Sequence, residues 1–76
     1  MTVYEVLEQI RQDSEITVNN YARSMHNAPF LDHGPGCTSA GMMAVYNDMI
    51  TLFARRVAAL SAALAALPIE VAESEV

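Results

Sequence analysis

Residues 42–67 read MMAVYNDMITLFARRVAALSAALAAL, and within them Met43, Tyr46, Ile50, Phe53, Val57, Leu60, Leu64 and Leu67 recur in alternating steps of three and four. A heptad spacing held for more than three repeats is the signature of a helix with a continuous apolar seam. Beside the seam run two further rows, one of Met42, Met49 and Ala63 interrupted by Arg56, the other of Val45, Leu52, Ala59 and Ala66, which we read as opposite flanks. Asn47, Asp48, Thr51, Arg55 and Ser61 break up the remaining surface. A helix apolar over most of its circumference is an interior helix. Nine of the twelve alanines fall between Ala40 and Ala66, where they favour the helix and let neighbouring backbones approach closely.

Upstream, a loop is expected over residues 27–37. Asn27-Ala28-Pro29 and Asp32-His33-Gly34-Pro35-Gly36-Cys37 hold two of the three prolines and two of the three glycines, which withhold a backbone donor and tolerate positive φ respectively. Before the loop, residues 2–26 open with Thr2 and Glu5 at capping-box spacing. A stripe of Val3, Leu7, Ile10, Thr17, Tyr21 and Met25 follows, with Ser14 as its weak point, so a single helix is favoured over two joined by a kink. Thr38 or Ser39 can cap the second helix, expected over about 38–67. Pro68 ends it, and 68–76 is expected to be an acidic flexible tail. No alternating strand pattern is present. The fold class is therefore all-α: a helix–loop–helix hairpin over 1–67.

Size then decides how the hairpin is completed. A chain of 76 residues has a marginal core, and domains this small usually need a disulfide, a metal or a partner chain. Cys37 is the single cysteine, so no internal disulfide forms. The apolar fraction of 53% exceeds what one copy can hide, which implies a homo-oligomeric bundle with the seam from Met43 to Leu67 as its interface.

Charge and length exclude further classes. Four arginines and no lysine against nine acids leave no basic field for direct nucleic-acid binding. The N-terminus has neither the basic start nor the apolar run of a secretory signal. The uninterrupted apolar run from Val57 to Ile69 covers 13 residues where a membrane span needs about 20, so a soluble, cytoplasmic protein without membrane attachment is expected.

Three constellations could carry chemistry. His26, Asp32, His33 and Cys37 are metal-ligand types within twelve residues, but they lack the paired close spacings of zinc sites; we expect neither a metal nor any other cofactor, and no catalytic residue. Thr38 and Ser39 stand where a helix start offers free amides to an anion. Arg55 and Arg56 could pair with Asp48, Glu5, Glu8 or Glu15, or could converge between subunits to clamp a phosphate or carboxylate while Tyr46 or Tyr21 stacks on a base. The leading expectation is a non-enzymatic, homo-oligomeric binding protein acting as an inhibitor or adaptor of a partner protein. In format alone it resembles small phage-encoded regulators and inhibitors. The alternative is a protein that binds or sequesters a nucleotide or other small anion through Arg55, Arg56, Tyr46, Tyr21, Thr38 and Ser39.

Overall fold

A computed structural model describes every residue except Asp32, His33 and Cys37. It is mostly helical, in the order α1 (Val3–Asn27), a 3₁₀ turn (Ala28–Phe30), α2 (Ser39–Ala66) and a short α3 (Ile69–Ala72). Among the described residues there is no strand, only an isolated bridge between Thr2 and Glu75. The all-α expectation therefore stands.

Local chemistry sets the ends of the long helices. The Thr2 hydroxyl accepts from the Glu5 amide at 3.2 Å while the Glu5 carboxylate accepts from the Thr2 amide at 3.0 Å, so two orphan donors of α1 are satisfied reciprocally. The Thr38 hydroxyl accepts from the Gly41 amide at 2.9 Å and opens α2. Between the helices, Gly34 and Gly36 take φ of +86° and +80°, a backbone region closed to most other residues.

The two long helices lie side by side. Tyr21 meets Tyr46 and Phe53 at ring-centroid distances of 6.0 and 6.3 Å, whereas Tyr4, Glu8 and Arg11 share a groove with Ser61, Leu64 and Ala65. Early residues of α1 thus sit beside late residues of α2, and the helices run in opposite directions. Val18 and Asn19 meet Ala54 and Val57 at an intermediate level.

Helix α1 runs unbroken through Ser14 as one element. Ser14 is the one buried residue of the helix, at 4% exposure, and its hydroxyl donates to the Ile10 carbonyl at 2.8 Å. The bond within the helix silences the polar group, so Ser14 acts as a small spacer on the packed face. That face holds Val3, Leu7, Ser14, Val18, Tyr21 and Met25, ending at the fully buried Ala28. Ile10, placed on the stripe from sequence, is 41% exposed, and Val18 takes the inner position instead. The inner step runs from Leu7 to Ser14 by seven residues, and Ile10 falls to one side of that line.

On α2 the inner face is Met42, Tyr46, Ile50, Phe53, Val57, Leu60 and Leu64, all half-buried, while Met43 is exposed. The seam expected to join copies therefore packs first against α1 of its own chain. At 100° per residue the two flanking rows also fall on the same side of α2, adjoining one another, and not on opposite flanks as the sequence suggested. Val45 and Leu52 there are 51% and 55% exposed.

Residues 68–76 differ from the expected flexible tail. Pro68 turns the chain, α3 forms, and the segment returns to the start of α1. The Val3 amide donates to the Ser74 carbonyl at 2.8 Å, the Val76 amide to the Met1 carbonyl at 2.9 Å, and the N-terminal ammonium lies 3.3 Å from a Glu75 carboxylate oxygen. The first amides of a helix lack internal partners, and a passing carbonyl satisfies one of them.

What results is a rod of 53 × 19 × 16 Å. Its radius of gyration is 16.7 Å, against about 11 Å for a compact domain of this length. It exposes 5284 Å², where a folded monomer of this mass exposes about 4,600 Å². Ala28 and Ser14 are the only described residues that are buried, and none lies on α2.

Candidate functional site

The middle of α2 brings together three of the side chains that sequence singled out, Tyr21, Tyr46 and Arg56. Tyr21 from α1 reaches between Tyr46 and Phe53, which lie seven residues apart on one face of α2. The Arg56 guanidinium carbon stands 5.0 Å above the Phe53 ring, a cation–π contact between residues one turn apart. Tyr21, Tyr46, Phe53 and Arg56 thus form one aromatic platform with a cation at its edge. Phe53 entered the sequence reading only as a seam residue; the signal for its second contact was the arginine three positions later, the spacing at which helix side chains meet.

Thr38 and Ser39 do not join that platform. Seventeen residues of helix separate Thr38 from Arg55, about 25 Å at the α-helical rise. The Thr38 hydroxyl is already engaged by Gly41. At 100° per residue Arg55 stands on the opposite side of α2 from Tyr46, so the six residues proposed for an anion form three separate places in one chain: Tyr21, Tyr46 and Arg56 at the platform, Arg55 behind it, and Thr38 with Ser39 at the helix start. Arg55 is exposed beside Arg56, and among the described residues no carboxylate lies within ion-pair distance of either, so the expected pairing with Asp48, Glu5, Glu8 or Glu15 is not formed within the chain.

The glutamates of α1 have another partner. Arg11 donates through Nε and Nη2 to the two oxygens of Glu8, at 2.9 and 2.7 Å, and through Nη1 to Glu15 at 2.9 Å. Gln12 adds a bond to Glu8 at 3.1 Å. The Arg11 bond, with that of Gln12 second, holds the Glu8 carboxyl below its ordinary 4.5, and the two carboxylates push Arg11 upward. The Thr2 amide, with the Thr2 hydroxyl second, likewise holds Glu5 below 4.5. The adjacent groove, about 320 Å³ between Tyr4, Glu8, Arg11, Ser61, Leu64 and Ala65, is open and its cation is fully committed, so an anion gains little there.

Of the possible metal set, His26 is exposed in the last turn of α1, and Asp32, His33 and Cys37 lie outside the described residues. Among the described residues no three His, Cys, Asp or Glu side chains converge. Helix α2 itself is 28 residues long with a mean hydropathy of 1.5 in its most apolar window, long and apolar enough by length and composition to cross a membrane. The 13-residue argument from sequence therefore does not exclude a span, because Arg55 and Arg56 interrupt the apolar run without ending the helix.

No protein-family model, curated protein or solved structure shows a significant match to the chain.

Proposed function

We propose that the protein is a non-enzymatic binding module: a helical hairpin that assembles with copies of itself into a helical bundle and engages a partner protein as an inhibitor or adaptor. The observation that carries this reading is that α2, the most apolar element, has no buried residue. Water penalises exposed apolar area at about 25 cal/mol per Å², and contiguous patches of this kind mark interaction surfaces. With Ala28 and Ser14 the only buried residues among those described, the single chain has little interior of its own to stabilise it. Assembly in the cytoplasm through α2 leaves α1, the connecting segment and the acidic C-terminal segment outward for a partner. The grooves are open to solvent, which fits binding better than catalysis.

Native mass spectrometry and light scattering across a hundredfold range of concentration test the assembly. The expected result is a discrete multiple of 8.3 kDa; a folded, solitary chain at every concentration would refute it. Retrieval of one stoichiometric protein by a tagged copy tests the partner.

A second reading rests on Arg55 and Arg56, which have no carboxylate partner among the described residues. Converging between copies, they could hold a nucleotide phosphate or another small anion with Tyr21 and Tyr46 nearby. That reading requires a nucleotide to raise the melting temperature, and Arg55→Ala with Arg56→Ala to abolish the rise while the oligomer persists.

A further inference from the structure

Beside the face that packs on α1, helix α2 carries a second heptad line: Val45, Met49, Leu52, Arg56, Ala59, Ala63 and Ala66 recur in steps of four and three. Val45 and Leu52 are more than half exposed, and Arg56, Ala59, Ala63 and Ala66 are exposed too. The small residues of its lower half allow a helix to approach closely. The first seam packs against α1 within the chain; of the second line Met49 is half-buried, and its other six residues are exposed among the described residues.

The charges of α2 say which occupant fits. Asp48, Arg55 and Arg56 are the only charged residues of the helix, and none has an ion-pair partner among the described residues. Asp48 and Arg56 stand four residues either side of Leu52, about 6 Å along the axis in each direction. If a second α2 crosses antiparallel with the two Leu52 side chains opposed, Asp48 comes level with the partner's Arg56 and beside the partner's Arg55. Val45 comes level with the partner's Ala59, a large residue against a small one, and Gly41 with the partner's Ala63. A parallel pairing would set aspartate against aspartate and the arginine pairs against each other, which repels. The elongated chain exposes about 700 Å² more than a compact monomer of its mass.

The geometry points to a second copy of this chain as the occupant, held as a two-fold antiparallel α2–α2 pair centred on Leu52 and specified by Asp48 against Arg55 and Arg56. This rests on the assembly reading above and names its surface.

Charge reversal tests it. Asp48→Arg makes all three charged positions of α2 positive; Arg55→Asp with Arg56→Asp makes them all negative. Sedimentation equilibrium of the full chain should show self-association for the wild type. It should be weaker by at least about tenfold for either variant alone, with mixed pairs restored when the two variants are combined. Recovery on mixing also shows that each variant retains a competent fold. As an independent readout, Leu52→Cys in a Cys37→Ser background should cross-link on oxidation, whereas Ala58→Cys, on the far side of the helix, should not. A wild type that stays solitary refutes the assembly reading and this pairing with it. A wild type that assembles with either variant unaffected, a mixture that does not recover, or cross-linking through Ala58 instead, refutes the pairing and leaves assembly standing.

Discussion

Replacing Ser14 with leucine separates the structural account of α1 from the one its sequence suggests. On the sequence stripe, Ser14 is a gap between Ile10 and Thr17, and a leucine there should complete the apolar face and strengthen the helix. In the structure Ser14 is 4% exposed, on the side of α1 that meets α2 between the level of Arg11 with Ser61 and that of Val18 with Val57. A leucine adds three carbons where none fits, and overpacking of this kind costs about 1–3 kcal/mol. In a domain of this size that lowers the melting temperature by about 5–20 °C. Ser14→Ala is the control: its lost hydroxyl bonds only to the Ile10 carbonyl of its own helix, and alanine is the better helix former, so the melting temperature should stay within a few degrees. Both are read by circular dichroism at one fixed protein concentration, because association shifts melting by mass action. A leucine variant as stable as the wild type, or more so, would show that the helices are not held at close range by Ser14.

Phe53→Ala removes the ring that meets Tyr21 and Arg56; half-buried, it should cost about 2 kcal/mol, seen as a lower melting temperature together with loss of the Tyr21 near-ultraviolet signal. Deleting residues 74–76 removes the carbonyl that receives the Val3 amide, so Val3 should exchange its proton at nearly the unprotected rate while the middle of α1 is unchanged. Acid should loosen the start of α1. Glu5 and Glu8 are held below 4.5 in the folded chain, so the unfolded chain takes up protons first; the stabilisation is complete above that pH and is lost as pH falls through the lowered folded values. Melting curves between pH 7 and 2 should show the decline beginning near 4.5, and Glu8→Gln should shrink it.

What the sequence made legible was local. Thr2 with Glu5 and Thr38 with Gly41 close hydrogen bonds over three residues, and the seam from Tyr46 to Leu64 repeats often enough to survive small errors of phase. What it hid depends on the partner helix. Whether Ile10 or Val18 turns inward is decided by the phase that α2 imposes, and Ser14 looks the same as a defect or as a spacer until its burial is known. The segment around Glu70, Glu73 and Glu75 reads as solvated because composition counts side chains, whereas its attachment runs through the backbone of Ser74 and Val76. The aromatic platform was half visible: Tyr21 and Tyr46 were paired from sequence, but Phe53 was absorbed into the seam, and the distance of Thr38 from Arg55 follows only once both are known to lie on one unbroken helix.

Helix α2 has two ways to leave water, a bilayer or another protein surface, and its arginines weigh between them. Arg55 and Arg56 stand within four residues of the midpoint of Ser39–Ala66, so a span centred on the helix would hold both near the bilayer centre, at about 2.5–3.5 kcal/mol each. Sliding the helix to bring them to one edge leaves inside either the sixteen residues Ser39–Ala54, with Asp48 among them, or the ten residues Val57–Ala66, both short of the roughly 20 a span needs. Against a second α2 the same two side chains need not be desolvated. Arg56 already lays its guanidinium on Phe53 with its edge open to a carboxylate, and Asp48 lies on the same outer surface at the matching distance from Leu52. The feature that makes a bilayer costly is thus the one that would set the register of the proposed pairing, which favours assembly over a bilayer as the way α2 leaves water.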